Sequence, residues 1–213
     1  MLLSIDVGNT NTVMGLYEAN TLRLVKSWRL STHPLATADE LSLKIGGLLS
    51  AFDATSLHSI TQVTLGSVVP AFTERAQEAV TSLLPRARLH IITHRSPWSF
   101  DIEPTPADSV GADRLINAEA ALHEYGAPAI IVDSGTATTV CALAALSSQT
   151  RPHYLGGAIV PGLELSRDAL AAKAAKLYAV ELIAPEQPIG RNTTEAIQSG
   201  LVLGYAALID GLV

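Results

Sequence analysis

Acids, glycines and threonines recur at one spacing in two parts of the sequence. Residues 6–12 read Asp-Val-Gly-Asn-Thr-Asn-Thr, and residues 133–139 read Asp-Ser-Gly-Thr-Ala-Thr-Thr. In each, an apolar run ends in an acid and a glycine follows two places later. Threonines then stand at the fifth or sixth place and again at the seventh. The chemistry that suits such a turn is polyphosphate binding. Glycine lets backbone N–H groups approach phosphate oxygens, threonine hydroxyls add donors, and the strand-end carboxylate holds a cation. A single copy would read as a hairpin with a polar tip. Two copies in matching contexts favour two similar half-molecules that present strand, turn and strand to a shared cleft.

A third acid, Asp113, lies in Gly111-Ala112-Asp113-Arg114 at the start of a predicted helix. An acid there also suits the positive end of the helix dipole, whatever its function. Asn117 lies one turn further on, opposite the apolar stripe, and Arg114 adds a cation. Such a carboxylate can accept a hydroxyl proton during phosphoryl transfer, while Arg114 and helix-terminal amides anchor an acidic substrate. Gly156 and Gly157 read as a site of close packing or a bulge, or of substrate approach to the backbone. Thr193 and Thr194 read as helix caps, or as groups facing a ligand.

Other chemistries have no support. The sequence has neither G-x-x-x-x-G-K-[ST] nor G-x-G-x-x-G, nor a G-x-S-x-G elbow. Its six histidines show no metal-ligand spacing, and the single cysteine, Cys141, reads as a small buried hydrophobe. A net charge of −6 without any Lys/Arg block argues against nucleic acid and membrane surfaces as partners. No apolar run reaches a membrane span and no basic region precedes the first strand, so a cytoplasmic protein is expected. Phosphate recognition would then depend on backbone amides, a divalent cation and a few placed basic groups.

The elements that must position these residues read as a repeated pattern. Strands are predicted over 2–7, 12–17 and 22–30, and a capping box at Thr37–Glu40 opens a helix. A strand over 60–69, a helix over 71–84 and a strand over 88–93 complete a β-β-β-α-β-α-β half. Residues 94–110, with Pro97, Pro104 and Pro106, read as a loop between lobes. A helix over 111–125 and strands over 129–133, 138–146 and 153–160 follow, then a helix over 163–175. The last helix opens at Asn192–Glu195 and carries Ile197, Leu201, Tyr205, Leu208, Ile209 and Leu212 on one face. Gly200 and Gly204 would let another helix approach closely.

In order along the chain, these segments resemble type III pantothenate kinases. The matching set is 6–12, Ser-Val-Val-Pro at 67–70, 111–114, 133–139, Tyr-Leu-Gly-Gly at 154–157, Pro-Gly at 161–162, Ile-Gly-Arg-Asn-Thr at 189–193 and Gln-Ser-Gly at 198–200. The resemblance implies an α/β protein of duplicated ribonuclease H-like lobes, the actin-like ATPase fold, around a central nucleotide cleft. The lobes would span 1–110 and 111–213. Family members continue for several dozen residues more, so the second lobe is expected to be truncated at its C-terminus.

The implied activity is phosphorylation of pantothenate by ATP to 4'-phosphopantothenate, the first step of coenzyme A biosynthesis. The resemblance further implies Mg2+, K+ or NH4+, and a homodimer with pantothenate bound near its interface. Carried over by position, Asp6, Val7, Gly8, Asn9, Thr10, Asn11, Thr12 and Val13 form the first ATP-binding segment, and Thr136 touches ATP. Asp6 would act on Mg2+ and Asp133 on the monovalent cation. Gly111, Ala112, Asp113, Arg114 and Thr193 would hold pantothenate, with Asp113 as general base. Ser134 replaces a usual Phe, and Pro104 stands where an aromatic usually contacts pantothenate, leaving Phe100 as the candidate to supply that ring. The alternatives are a non-catalytic regulatory protein on the same scaffold and a kinase of another small acid or sugar.

Overall fold

The computed structural model describes residues 1–53, 56–145 and 150–213. Its chain divides into two compact units. One comprises Met1–Trp98 and Thr105–Ile116, the other Ser99–Pro104 and Asn117–Val213.

In the first unit, β1 (Leu2–Val7), β2 (Asn11–Tyr17) and β3 (Leu24–Ser31) form an antiparallel meander. Next come α1 (Ala38–Phe52), α2 (Ser56–Ser59), β4 (Gln62–Ser67), α3 (Pro70–Leu83) and β5 (Arg88–Ile91). The strands β4 and β5 add in parallel to give the order β3-β2-β1-β4-β5. A meander extended by two parallel crossover strands is the ribonuclease H-like arrangement.

Alternation along the strands explains the layering. Leu3, Ile5 and Val7 of β1 are buried with Met14 and Leu16 of β2 and with Val63 and Leu65 of β4. Against them pack Leu41, Ile45 and Leu49 of α1 and Phe72, Ala76 and Val80 of α3. The helix α1 starts as its sequence predicts: Thr37 and Glu40 form the reciprocal capping box. Each such buried Leu or Ile contributes about 1.5–3 kcal/mol relative to exposure. The opposite face carries the alternate residues, including Ser4, Asp6, Thr64 and Gly66.

After β5 the chain forms the two-residue strand β6 (Asp101–Ile102), a 3-10 turn at Ala107–Ser109 and the helix α4 (Ala112–Tyr125). The predicted loop over 94–110 therefore contains a strand. β6 pairs in parallel with β9, and the ion pair Arg151–Asp101 at 2.9 Å and the bond from His153 Nδ1 to Glu103 at 2.5 Å bracket that pairing.

In the second unit, β7 (Ala129–Ser134), β8 (Ala137–Ala144) and β9 (His153–Pro161) repeat the opening meander, in the order β6-β9-β8-β7. Residue 146, at the end of the predicted strand over 138–146, lies outside the described residues. Gly156 adopts φ +100° where the β8–β9 register shifts, and a side chain on Gly157 would collide with the Val140 backbone. Both glycines thus have a packing role.

The helix α5 (Leu163–Lys173) follows, then α6 (Thr193–Gln198), a π-helical turn at Ser199–Leu203, and α7 (Gly204–Leu212). The sequence predicts one regular final helix, whereas the wider turn rotates its second part relative to its first. Ile197 and Leu201 are buried with Val180, while Leu208 and Leu212 remain 39% and 43% exposed. At Gly200 and Gly204 an added Cβ would meet nothing within 4 Å, so among the described residues no other helix approaches there. None of the described helices is long and apolar enough to cross a membrane.

Candidate active site

The first Gly/Thr turn joins β1 to β2. Val7 faces Thr12 across the ladder, leaving residues 8–11 as the turn, and Gly8 N donates to Asn11 O at 2.9 Å. Asp6, Asn9 and Thr10 are exposed, Gly8, Asn11 and Val13 half-buried, and Thr12 buried. A strap fixes the turn from the end of β3: Thr32 N donates to Thr10 O at 2.8 Å. Beneath it the Thr12 and Thr32 hydroxyls meet at 2.9 Å, both buried.

The second turn joins β7 to β8 in the same way but is one residue shorter. Ser134 faces Thr138, residues 135–137 form the turn, and Gly135 N donates to Ala137 O at 3.1 Å. The strap recurs from the end of β9, where Gly162 N donates to Thr136 O at 2.9 Å. Thr136 therefore corresponds to Thr10, and Thr138, fully buried, corresponds to Thr12. The ungapped sequence pairing of Thr12 with Thr139 is corrected by one place. Asp133 and Thr136 are exposed at this turn, and Asn117 Nδ2 of α4 donates to Asp133 Oδ2 at 2.9 Å.

Within the first unit, Asp113 is placed at the carboxyl ends of β1 and β4, where open α/β sheets bind ligands. Val68 N donates to Val7 O at 3.0 Å, and the Val68 side chain lies beneath Gly111, 3.5 Å from where a Cβ would stand. At Gly66 a Cβ would come 2.7 Å from Ile116 Cδ1, so that glycine lets α4 sit against β4. Ala112 is buried, Gly111, Asp113 and Arg114 are half-buried, and Asp113 Oδ1 accepts the Arg114 N–H at 2.8 Å. This carboxylate folds back over its own helix start, satisfying a donor that an N-terminal turn leaves without a helical partner.

Thr193 opens α6, exposed, and among the described residues no hydrogen bond is recorded between it and the second turn. Asn192 caps the helix by accepting Glu195 N at 3.0 Å, while Glu195 reaches back to Arg191 N at 2.7 Å. The reciprocal bond of a capping box would go to the backbone of Asn192 itself; here it goes to Arg191 instead.

Phe100 does not supply the missing aromatic wall. It is 2% exposed and stacks, tilted, 5.9 Å from the ring of Tyr154, itself fully buried with its hydroxyl on Cys141 Sγ. Pro104 lies against Gly156, 3.3 Å from the Cβ position there. Among the described residues no three His, Cys, Asp or Glu gather around one point. Single strand-end acids, however, fit an ion such as Mg2+, which takes one or two carboxylates and completes its shell with phosphate and water.

The sequence matches the type III pantothenate kinase family over residues 2–213. Over its whole length it is 42% identical to the type III pantothenate kinase of Frankia casuarinae, covering 80% of that protein. It is 41% identical to those of Acidothermus cellulolyticus and Thermomicrobium roseum, covering 80% and 79% of them. The chain belongs to the type III pantothenate kinase family, ATP-dependent transferases that phosphorylate pantothenate in coenzyme A biosynthesis.

Proposed function

We propose that the two strapped turns are the phosphate-binding segments of this kinase and that Asp113 is its general base. The observation that carries this reading is the repetition of the strap, Thr32 N to Thr10 O and Gly162 N to Thr136 O. Two unrelated hairpins have no reason to be buttressed alike; two copies of one phosphate-binding turn do.

Residues 6–13 and Thr136 present backbone amides and hydroxyls to ATP. Gly111–Arg114 and Thr193 hold pantothenate, with the Arg114 guanidinium drawn to its carboxylate. As the primary hydroxyl oxygen attacks the γ-phosphorus, Asp113 takes the hydroxyl proton. The bond from that phosphorus to the bridging oxygen of ADP breaks, giving 4'-phosphopantothenate and ADP. Asp6 would hold Mg2+ and Asp133 K+ or NH4+, which when bound supply positive charge at the phosphates. Positioning and electrostatics provide most of the acceleration in such a transfer. The working unit is a cytoplasmic homodimer, to which Gly200, Gly204, Leu208 and Leu212 offer an open small-residue and apolar face.

The test is ADP release by the purified chain with ATP, Mg2+ and K+, with and without pantothenate. Pantothenate-dependent ADP is expected, falling roughly 10²–10⁴-fold in Asp113→Asn. Near-normal turnover in that variant would remove Asp113 from the role. If no ADP is released, the same assay on a chain extended to the length of the family's members decides: restored activity keeps the kinase reading, and continued silence favours the regulatory one.

A further inference from the structure

In the first turn the buried Thr12 hydroxyl is answered by Thr32, the residue that also provides the strap. The equivalent residue in the second turn is Gly162, which has no hydroxyl. Its lack of a side chain is enforced: a Cβ there would lie inside contact distance of the carbonyl oxygens of Gly135 and Thr136. The shorter turn brings its backbone onto the strap, so only glycine fits. Thr138 nonetheless remains fully buried, and a buried hydroxyl needs a partner.

The partner comes from α7. The Tyr205 hydroxyl hydrogen-bonds Thr138 Oγ1 and donates to Pro161 O at 3.2 Å. It thus touches the strand on each side of the strap, one residue before Gly162 and two after Thr136. From this geometry we infer that Tyr205 is a positioning residue for the second phosphate-binding turn, standing in for the hydroxyl that Thr32 provides to the first. The inference rests on reading residues 133–139 as a nucleotide-binding turn. It also gives α7 a role in the reaction, because Tyr205 fixes the turn proposed to face ATP.

Tyr205→Phe keeps the ring and removes only the hydroxyl. Amide hydrogen exchange of Gly162 should accelerate about tenfold in this variant, because its bond to Thr136 O loses its support. Amides of the first sheet should keep their rates. In the kinase assay the KM for ATP should rise roughly 3- to 10-fold, the effect of one net hydrogen bond, with the KM for pantothenate unchanged. In a Thr138→Val background, Tyr205→Phe should add less than it does alone, since the two share one interaction.

Unchanged exchange at Gly162 would overturn the inference whether or not the chain is a kinase. Faster exchange with an unmoved KM for ATP, in an active wild type, would reduce Tyr205 to a structural role and overturn it too. Full additivity with Thr138→Val would do the same. If the wild type binds no nucleotide, the kinase reading fails instead, and the exchange measurement alone decides whether Tyr205 holds the turn.

Discussion

Gly111 and Asp113 are packed so that the carboxylate of one occupies the space a side chain would need on the other. A Cβ at Gly111 would lie inside contact distance of Asp113 Oδ1. The colliding atom is the end of a short, half-buried side chain that can rotate away at little cost in stability. It cannot do so and keep its bond to Arg114 N.

Gly111→Ala should therefore separate catalysis from folding. A displaced base loses most of its contribution, so kcat should fall at least tenfold, toward the roughly 10²–10⁴-fold loss expected on removing a general base. The unfolding midpoint should move by no more than the loss of the single bond to Arg114 N, about 0.5–1.5 kcal/mol. Steady-state kinetics beside a denaturant melt would check both. Wild-type kcat in Gly111→Ala would mean that the position of the Asp113 carboxylate is irrelevant to turnover.

The bond from Asn117 Nδ2 to Asp133 Oδ2 leads to a prediction about the monovalent cation. With Asn117→Leu, Asp133 keeps its charge and loses the donor that orients it. Removing such a supporting group around a metal ligand typically weakens affinity about 10- to 100-fold. The concentration of K+ giving half-maximal activity should rise by a factor in that range, while the pantothenate KM stays put. An unchanged K+ dependence would dissociate Asp133 from the cation.

Much of this arrangement is legible in the sequence, and the parts that are not have physical reasons. The two turns and the opening meanders follow from local signals: alternation, glycine, and acids at strand ends. The missing residue in the second turn is hidden because positions 138 and 139 are both threonine, so an ungapped pairing looks sound. The partnership of Tyr205 with Thr138 spans 67 residues, and its tyrosine falls on the same apolar face that packing alone would explain. The π-helical turn has no proline to announce it, and its Ser199-Gly200 pair reads equally as a place for close helix approach. β6 is two residues long, too short for any periodicity, and exists because β9 offers it an edge.

Phe100 illustrates the opposite error, in which a plausible substrate contact is a core residue. Replacing it with leucine should lose the ring pairing with Tyr154, about 0.5–1.5 kcal/mol beyond the area term, and lower the unfolding midpoint accordingly. The KM for pantothenate should remain within twofold of wild type. A large rise in that KM with unaltered stability would return Phe100 to the substrate site.

The buried Thr12–Thr32 pair gives a prediction in which the cost of each single variant largely disappears in the double variant. Thr12→Val preserves shape and leaves the Thr32 hydroxyl buried without its partner, which costs about 1–3 kcal/mol. Thr32→Val should do the same to Thr12. Replacing both removes the unsatisfied group along with the bond, and can be nearly neutral. Denaturant unfolding of the two single variants and the double variant should therefore show strong non-additivity, with the double close to wild type. The strap from Thr32 N to Thr10 O is a backbone bond that valine retains, so the double variant should also keep the conformation of the turn. Additive destabilisation would mean that the hydroxyls do not depend on each other.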